Sequence, residues 1–178
     1  MTRMAMRQQL VRGVATLALW LGVWLCGGCA GYQLGTSLPA GVRTVYVPMF
    51  ENGTDQSRIE FDTTNATILE FAKDGTLKVV DQKLADTILT VRVTKYELVP
   101  VRYESNRLTT AAEYRLVLTA ELTFRTIKSG KISVKRTGIT GETVFSVAGD
   151  LSVSSRNALP KAAQDLGYRI VRAVVEYW

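Results

Sequence analysis

Strict alternation marks the middle of the chain. Tyr114, Leu116, Leu118, Ala120, Leu122 and Phe124 recur at every second position against Arg115, Thr119, Glu121, Thr123 and Arg125. That is the period of a strand with one face on a core and the other toward water or a partner. Leu89, Val91 and Val93 alternate in the same way with Thr90, Arg92 and Thr94. Lys128-Ser129-Gly130-Lys131 reads as a hairpin turn, and Ile132, Val134 and Thr137 begin the return strand. Upstream, Pro39-Ala40-Gly41 marks a turn before Val42 to Phe50, a β-branched and aromatic first strand interrupted by Pro48. A further strand signal covers Thr76 to Val80.

Two segments carry the helical period instead. The first starts at Ser57, where Glu60 three residues on completes a capping-box pattern. Phe61, Ile68 and Ala72, widened by Leu69, form its apolar stripe, and Asp74-Gly75 supplies the stop. The second starts near Asn157, which puts Pro160 in the first turn, where its missing amide costs little. Leu159, Ala162, Leu166, Ile170, Val174 and Tyr177 recur at three- and four-residue intervals. The order strand, helix, several antiparallel strands, helix predicts an α+β fold, with two helices packed on one face of a mostly antiparallel four- to five-stranded sheet.

The N-terminus has a different character. Arg3, Arg7 and Arg12, without an acid, precede a 12-residue apolar run from Val14 to Leu25, then Gly27, Gly28 and Cys29. Such a run is shorter than the roughly 20 residues of a spanning helix and reads as a secretory signal. Leu25-Cys26-Gly27-Gly28-Cys29 resembles the lipobox of bacterial lipoproteins, although Cys26 stands where Leu is usual. The expectation is a signal peptide over residues 1–28, lipidation of Cys29, and a single domain over 29–178 behind a short tether. Several acyl chains suffice for stable anchoring. Ala30 after the lipidated cysteine, in place of the Asp that retains such proteins in the inner membrane, implies the periplasmic leaflet of the outer membrane.

The whole chain of 178 residues carries a formal charge of +6 and no histidine. Removal of the leader, with three arginines and no acid, lowers the charge to +3, which weakens any nucleic-acid reading. Without imidazole, Ser-His-Asp and Cys-His catalysis and His-ligated zinc are excluded. Asp74, Asp81 and Asp86 sit at expected turns, where Asp commonly caps, and Gly138 and Gly141 lack the strand-glycine-helix context of a phosphate cradle; a turn or bulge is expected there. No active site, cofactor or metal is expected.

Charge clusters once. From Leu122 to Gly141 the chain carries Arg125, Lys128, Lys131, Lys135 and Arg136 and no acid. One reading is a strand edge defended by lysines against aggregation. The other is an anion-binding surface. For an exported outer-membrane protein, the abundant anions are lipid A phosphates and lipopolysaccharide core sugars, which Arg grips in a fork and Lys as a point charge. Arg102 and Arg107, beside the loop before the long strand, are candidates to join it.

The chain also resembles a known family. Gly31-Tyr32-Gln33-Leu34 and Leu38-Pro39-Ala40-Gly41-Val42-Arg43-Thr44-Val45-Tyr46-Val47-Pro48-Met49-Phe50-Glu51-Asn52 are similar to the opening of the lipopolysaccharide-assembly lipoproteins, LptE. Ala85-Asp86-Thr87-Ile88-Leu89, Glu113-Tyr114-Arg115-Leu116 and Ala158-Leu159-Pro160 extend the match. The resemblance implies two helices against a sheet of four strands or slightly more. It implies a non-enzymatic protein that plugs and helps assemble the LptD β-barrel and binds lipopolysaccharide. Thr90, Arg92, Thr94, Thr119 and Thr123 would then belong to a polar surface facing the barrel. The phrase Val45 to Thr54 is also similar to the first strand of penicillin-binding-protein activators and curli-type secretion pore subunits, which would make the chain a regulator of peptidoglycan synthases or a pore subunit.

Overall fold

The computed structural model describes residues 41–104 and 107–176. The leader, Cys29, the tether and Tyr177 lie outside the described residues. In chain order the elements are β1 (Thr44–Tyr46), β2 (Glu51–Asn52), α1 (Ile59–Asp74), β3 (Lys78–Val79), a 3-10 turn (Gln82–Leu84), β4 (Thr87–Glu104), β5 (Arg107–Thr126), β6 (Ile132–Ser146) and α2 (Leu151–Val175). The α+β class is as expected, with two helices and one sheet among the described residues.

The sheet has six strands in the order β3-β1-β4-β5-β6, with β2 beside β4 off that path. Antiparallel pairing holds along the long ladder β4-β5-β6. The short strands pair in parallel, β1 with both β3 and β4, and β2 with β4. The sheet is therefore mixed and one strand larger than expected. The single strand expected over Val42 to Phe50 divides: β1 stops at Tyr46, and pairing resumes only at Glu51. Pro48, with no amide to donate, lies in the gap.

The alternation read from β5 is the alternation of burial. Leu116, Leu118, Ala120, Leu122 and Phe124 are buried, as are Leu89, Val91 and Val93 across the ladder. They meet Leu159, Leu166, Ile170 and Val174 of α2 and Ile59 and Phe71 of α1 in one core. A fully buried Leu or Phe contributes about 1.5–3 kcal/mol to the fold.

The helices depart from expectation in three ways. Ser57 does not cap α1. Arg58 holds the cap position in the left-handed region at φ 69° without a side-chain hydrogen bond, and Glu60 instead accepts a hydrogen bond from Asn52 Nδ2 at 3.0 Å. Second, the face of α1 turned to the core carries Ile59, Thr63, Thr64, Thr67 and Phe71, whereas Phe61 and Leu69 are exposed. Each buried threonine satisfies its hydroxyl on its own helix: Thr63 donates to the Ile59 carbonyl, Thr64 to Glu60 and Thr67 to Thr63, at 2.6–2.8 Å. Third, α2 begins at Leu151, not near Asn157, so Pro160 lies inside the helix. The Asp150 side chain accepts from the amides of Ser152 and Val153 at 2.6 and 3.2 Å. That cap supports a serine-rich first turn of low intrinsic propensity.

Candidate functional site

Among the described residues no element covers the outer face of β4-β5-β6, and it carries most of the candidate residues. Cross-strand register places Thr90 beside Thr123 and Thr123 beside Lys135, while Arg92 lies between Glu51 of β2 and Glu121 of β5. These side chains, with Arg136 and Thr137, surround a hollow of about 240 Å³. Arg92 folds over the β2–α1 turn: a Cβ placed on Gly53 would lie 3.1 Å from its Nε.

A bulge shapes the β6 side of the hollow. Between the pairs Ala120/Ile139 and Leu122/Arg136, Thr137 and Gly138 together oppose Glu121, and Gly138 takes φ 70°. The expected turn or bulge at Gly138 is this one. It leaves Lys135, Arg136, Thr137 and Gly138 exposed in succession. Gly141 has another role, against α2.

The hairpin turn brings the remaining bases to the same end. Arg125 pairs in register with Ile88 and Ile132. Lys128 sits in the turn and Lys131 closes it, its carbonyl accepting the Thr126 amide at 2.9 Å. The folded turn is less uniformly positive than its sequence, because the start of β4 supplies an acid. Asp86 accepts hydrogen bonds from the Ile127 amide through its carbonyl, and from Thr44 Oγ1 (2.8 Å), Arg43 N and Thr44 N through Oδ2. The Thr44 hydroxyl foremost, then the Arg43 amide and, more weakly, the charge of Lys128, hold the Asp86 carboxyl below the usual range. Asp74 is occupied in a turn, accepting from the Thr76 amide.

Three candidates stand apart. Arg102 lies near the opposite end of β4, ten residues beyond Arg92, roughly 33 Å along a strand, and is engaged by Glu113 Oε1 at 2.6 Å. Arg107 lies opposite Glu104 in backbone register at that same far end. The structure thus does not join either to the hairpin cluster. Thr94 falls at an irregularity between Val93 and Lys95, where its hydroxyl donates to the Thr119 carbonyl at 3.2 Å. Beyond it the faces exchange, so Lys95 and Glu97 point outward while Tyr96 and Leu98 pack on the core. Thr119 remains on the outer face, paired with Lys95 and Thr140.

Sequence reasoning missed the acids of this face. Glu51, Glu121 and Asp86 come from three separate elements and meet the bases only through register.

A family model described as lipopolysaccharide-assembly, LptE, matches residues 42–174. No curated protein matches the chain. Among solved structures, a protein of Xanthomonas campestris is similar at 11% identity and TM-score 0.57, covering 80% of this chain and 91% of its own. A hypothetical protein of Chlamydia trachomatis is similar at 9% identity and TM-score 0.50, covering 76% of this chain and 97% of its own. At such identities these likenesses concern the fold alone. The family match runs from the residues before β1 through nearly all of α2, and the chain belongs to the LptE lipopolysaccharide-assembly family.

Proposed function

We propose that the protein is a non-enzymatic lipoprotein, anchored through Cys29 in the periplasmic leaflet of the outer membrane. It seats within an LptD-type β-barrel, assists that barrel's assembly and binds lipopolysaccharide. The observation that carries the reading is family membership across the folded chain. The polar outer face of the sheet supports it, because a plug in a water-lined lumen needs a rigid core behind a polar surface of mixed charge. Thr90, Arg92, Thr119 and Thr123 supply such a surface, with Glu51 and Glu121 interleaved.

The bases of the hairpin, Arg125, Lys128, Lys131, Lys135 and Arg136, are the proposed phosphate-binding group. Arg102 and Arg107 form a separate, distal one. Affinity purification of the acylated protein from native outer membranes tests the reading. The barrel of the lipopolysaccharide export machinery should co-purify in stoichiometric amount. Recovery of peptidoglycan synthases alone would replace the proposal with the regulator reading.

A further inference from the structure

Among the described residues β6 ends the sheet, and only its inner side is paired. The Glu142 amide points off that edge and donates to Asp165 Oδ2 of α2 at 2.9 Å, whereas the Val147 amide points inward to the Ala112 carbonyl at 3.0 Å. The alternation of an antiparallel strand therefore turns the N–H and C=O of Val144 and Ser146 outward as well. Asp165 closes the edge at Glu142. Beyond it a groove of about 410 Å³ runs between β6 and α2, lined by Thr143 to Ser146 on the strand and by Ser154, Asn157, Ala158 and Lys161 on the helix side.

The two halves of this edge differ. Near the hairpin it carries Lys131, Lys135 and Arg136, charges of the kind that block pairing with a second sheet. The half from Thr143 to Ser146 carries no charge. We propose that this undefended half receives an extended strand of the barrel polypeptide, added to β6 in the groove against α2.

The occupant's chemistry follows from the groups on offer. Backbone donors and acceptors repeating every two residues, about 6.8 Å apart, are matched by another extended backbone; a lipid surface would leave them unsatisfied. The groove lining contains one cation, Lys161, and no acid. An acidic side chain over Lys161 and a small apolar one against Phe145 and Ala158 complete the fit. This inference rests on the barrel reading above and deepens it.

Hydrogen exchange on the acylated protein, alone and in complex with the barrel, tests it. Exchange of the segment 143–147 should slow at least tenfold in the complex. Val144→Pro removes one outward amide at an edge position where proline is tolerated, and should weaken the complex at least tenfold, whereas Val144→Thr should not. A complex in which segment 143–147 exchanges as in the free protein, or a folded Val144→Pro protein that binds unchanged, overturns the strand and leaves the barrel reading intact. Absence of any complex overturns both. Protection that grows with concentration in the protein alone makes a second copy the occupant and overturns the assignment to the barrel. If Val144→Pro does not fold, exchange in the unaltered protein decides.

Discussion

Gly141 of β6 and Leu166 of α2 meet backbone to backbone. A Cβ at Gly141 would lie 2.3 Å from the Leu166 nitrogen and 2.5 Å from its Cα. Helix and sheet approach this closely only because residue 141 lacks a side chain. Gly141→Ala must push α2 away from β6 and open the layer around Leu166 and Ile170, both fully buried. Overpacking costs about 1–3 kcal/mol, and a clash with rigid backbone belongs at the upper end. The melting temperature by circular dichroism should fall by about 10 °C. At Gly167 a Cβ would sit 3.1 Å from Ala66 and Thr67 backbone atoms of α1. There the helix propensity gained, about 1 kcal/mol, offsets the milder crowding, so Gly167→Ala should change stability by less than Gly141→Ala.

The exposed stripe of α1 gives a second prediction. Phe61 is 48% exposed and Leu69 60% exposed, while Thr67 is fully buried. Phe61→Ser and Leu69→Ser should each alter unfolding free energy by about 0.5 kcal/mol or less, as expected for surface positions. Were these residues core, as their spacing suggests, the loss in denaturant titrations would be about 2–5 kcal/mol.

That contrast shows what the chain makes legible. On β5, apolar residues hold every second position from Tyr114 to Phe124 and polar ones hold every intervening position except Val117, and a period of two admits one orientation, so strand, face and core could be read directly. On α1 the polar and apolar positions do not separate by hydrophobicity, because Thr63, Thr64 and Thr67 hide their hydroxyls on carbonyls one turn back. Residue type alone then points to the wrong face. The start of α2 was obscured by its serines and recovered only through the Asp150 cap. At the candidate site, local charge located the bases, but Glu51 and Glu121 reach Arg92 through register between distant segments.

Asp86 ties β1 to β4 and should make stability depend on pH in a defined direction. Its carboxyl is held below the ordinary value by the Thr44 hydroxyl first and the Arg43 amide second. A depressed folded value means that the anion stabilises the fold above the unfolded value, about 3.9, and that this contribution disappears as pH falls through the folded value. Asp86→Asn should therefore lower stability at pH 7 by about 1–2 kcal/mol, and the two melting curves should converge below about pH 4. A difference that stays constant from neutral to acid pH would show that shape, not charge, holds this junction.

The proposed anchor at Cys29 should be separable from folding. Cys29 precedes the family match, which begins at residue 42, and among the described residues the buried core begins at Val45, with Val42 packed against it. Cys29→Ala should yield a domain with unchanged far-ultraviolet circular dichroism and melting temperature that partitions into the soluble periplasmic fraction. Membrane retention of this variant would show that something other than acyl chains holds it there.

The hairpin charges can be tested against the distal pair. Lys128, Lys131 and Lys135 lie toward one end of the sheet and Arg102 near the other, where Glu113 already engages it. Reversing the three lysines to Glu should weaken lipopolysaccharide binding at least tenfold in low salt. The difference should shrink as ionic strength rises, because exposed charges are screened beyond about 10 Å at 0.1 M. Arg102→Ala should act independently: groups tens of ångströms apart without shared partners combine additively, so the quadruple variant should show the product of the two effects. Unchanged binding by the triple variant in low salt would remove the hairpin from the phosphate-binding surface. A loss confined to Arg102→Ala would move that surface to the far end of β4.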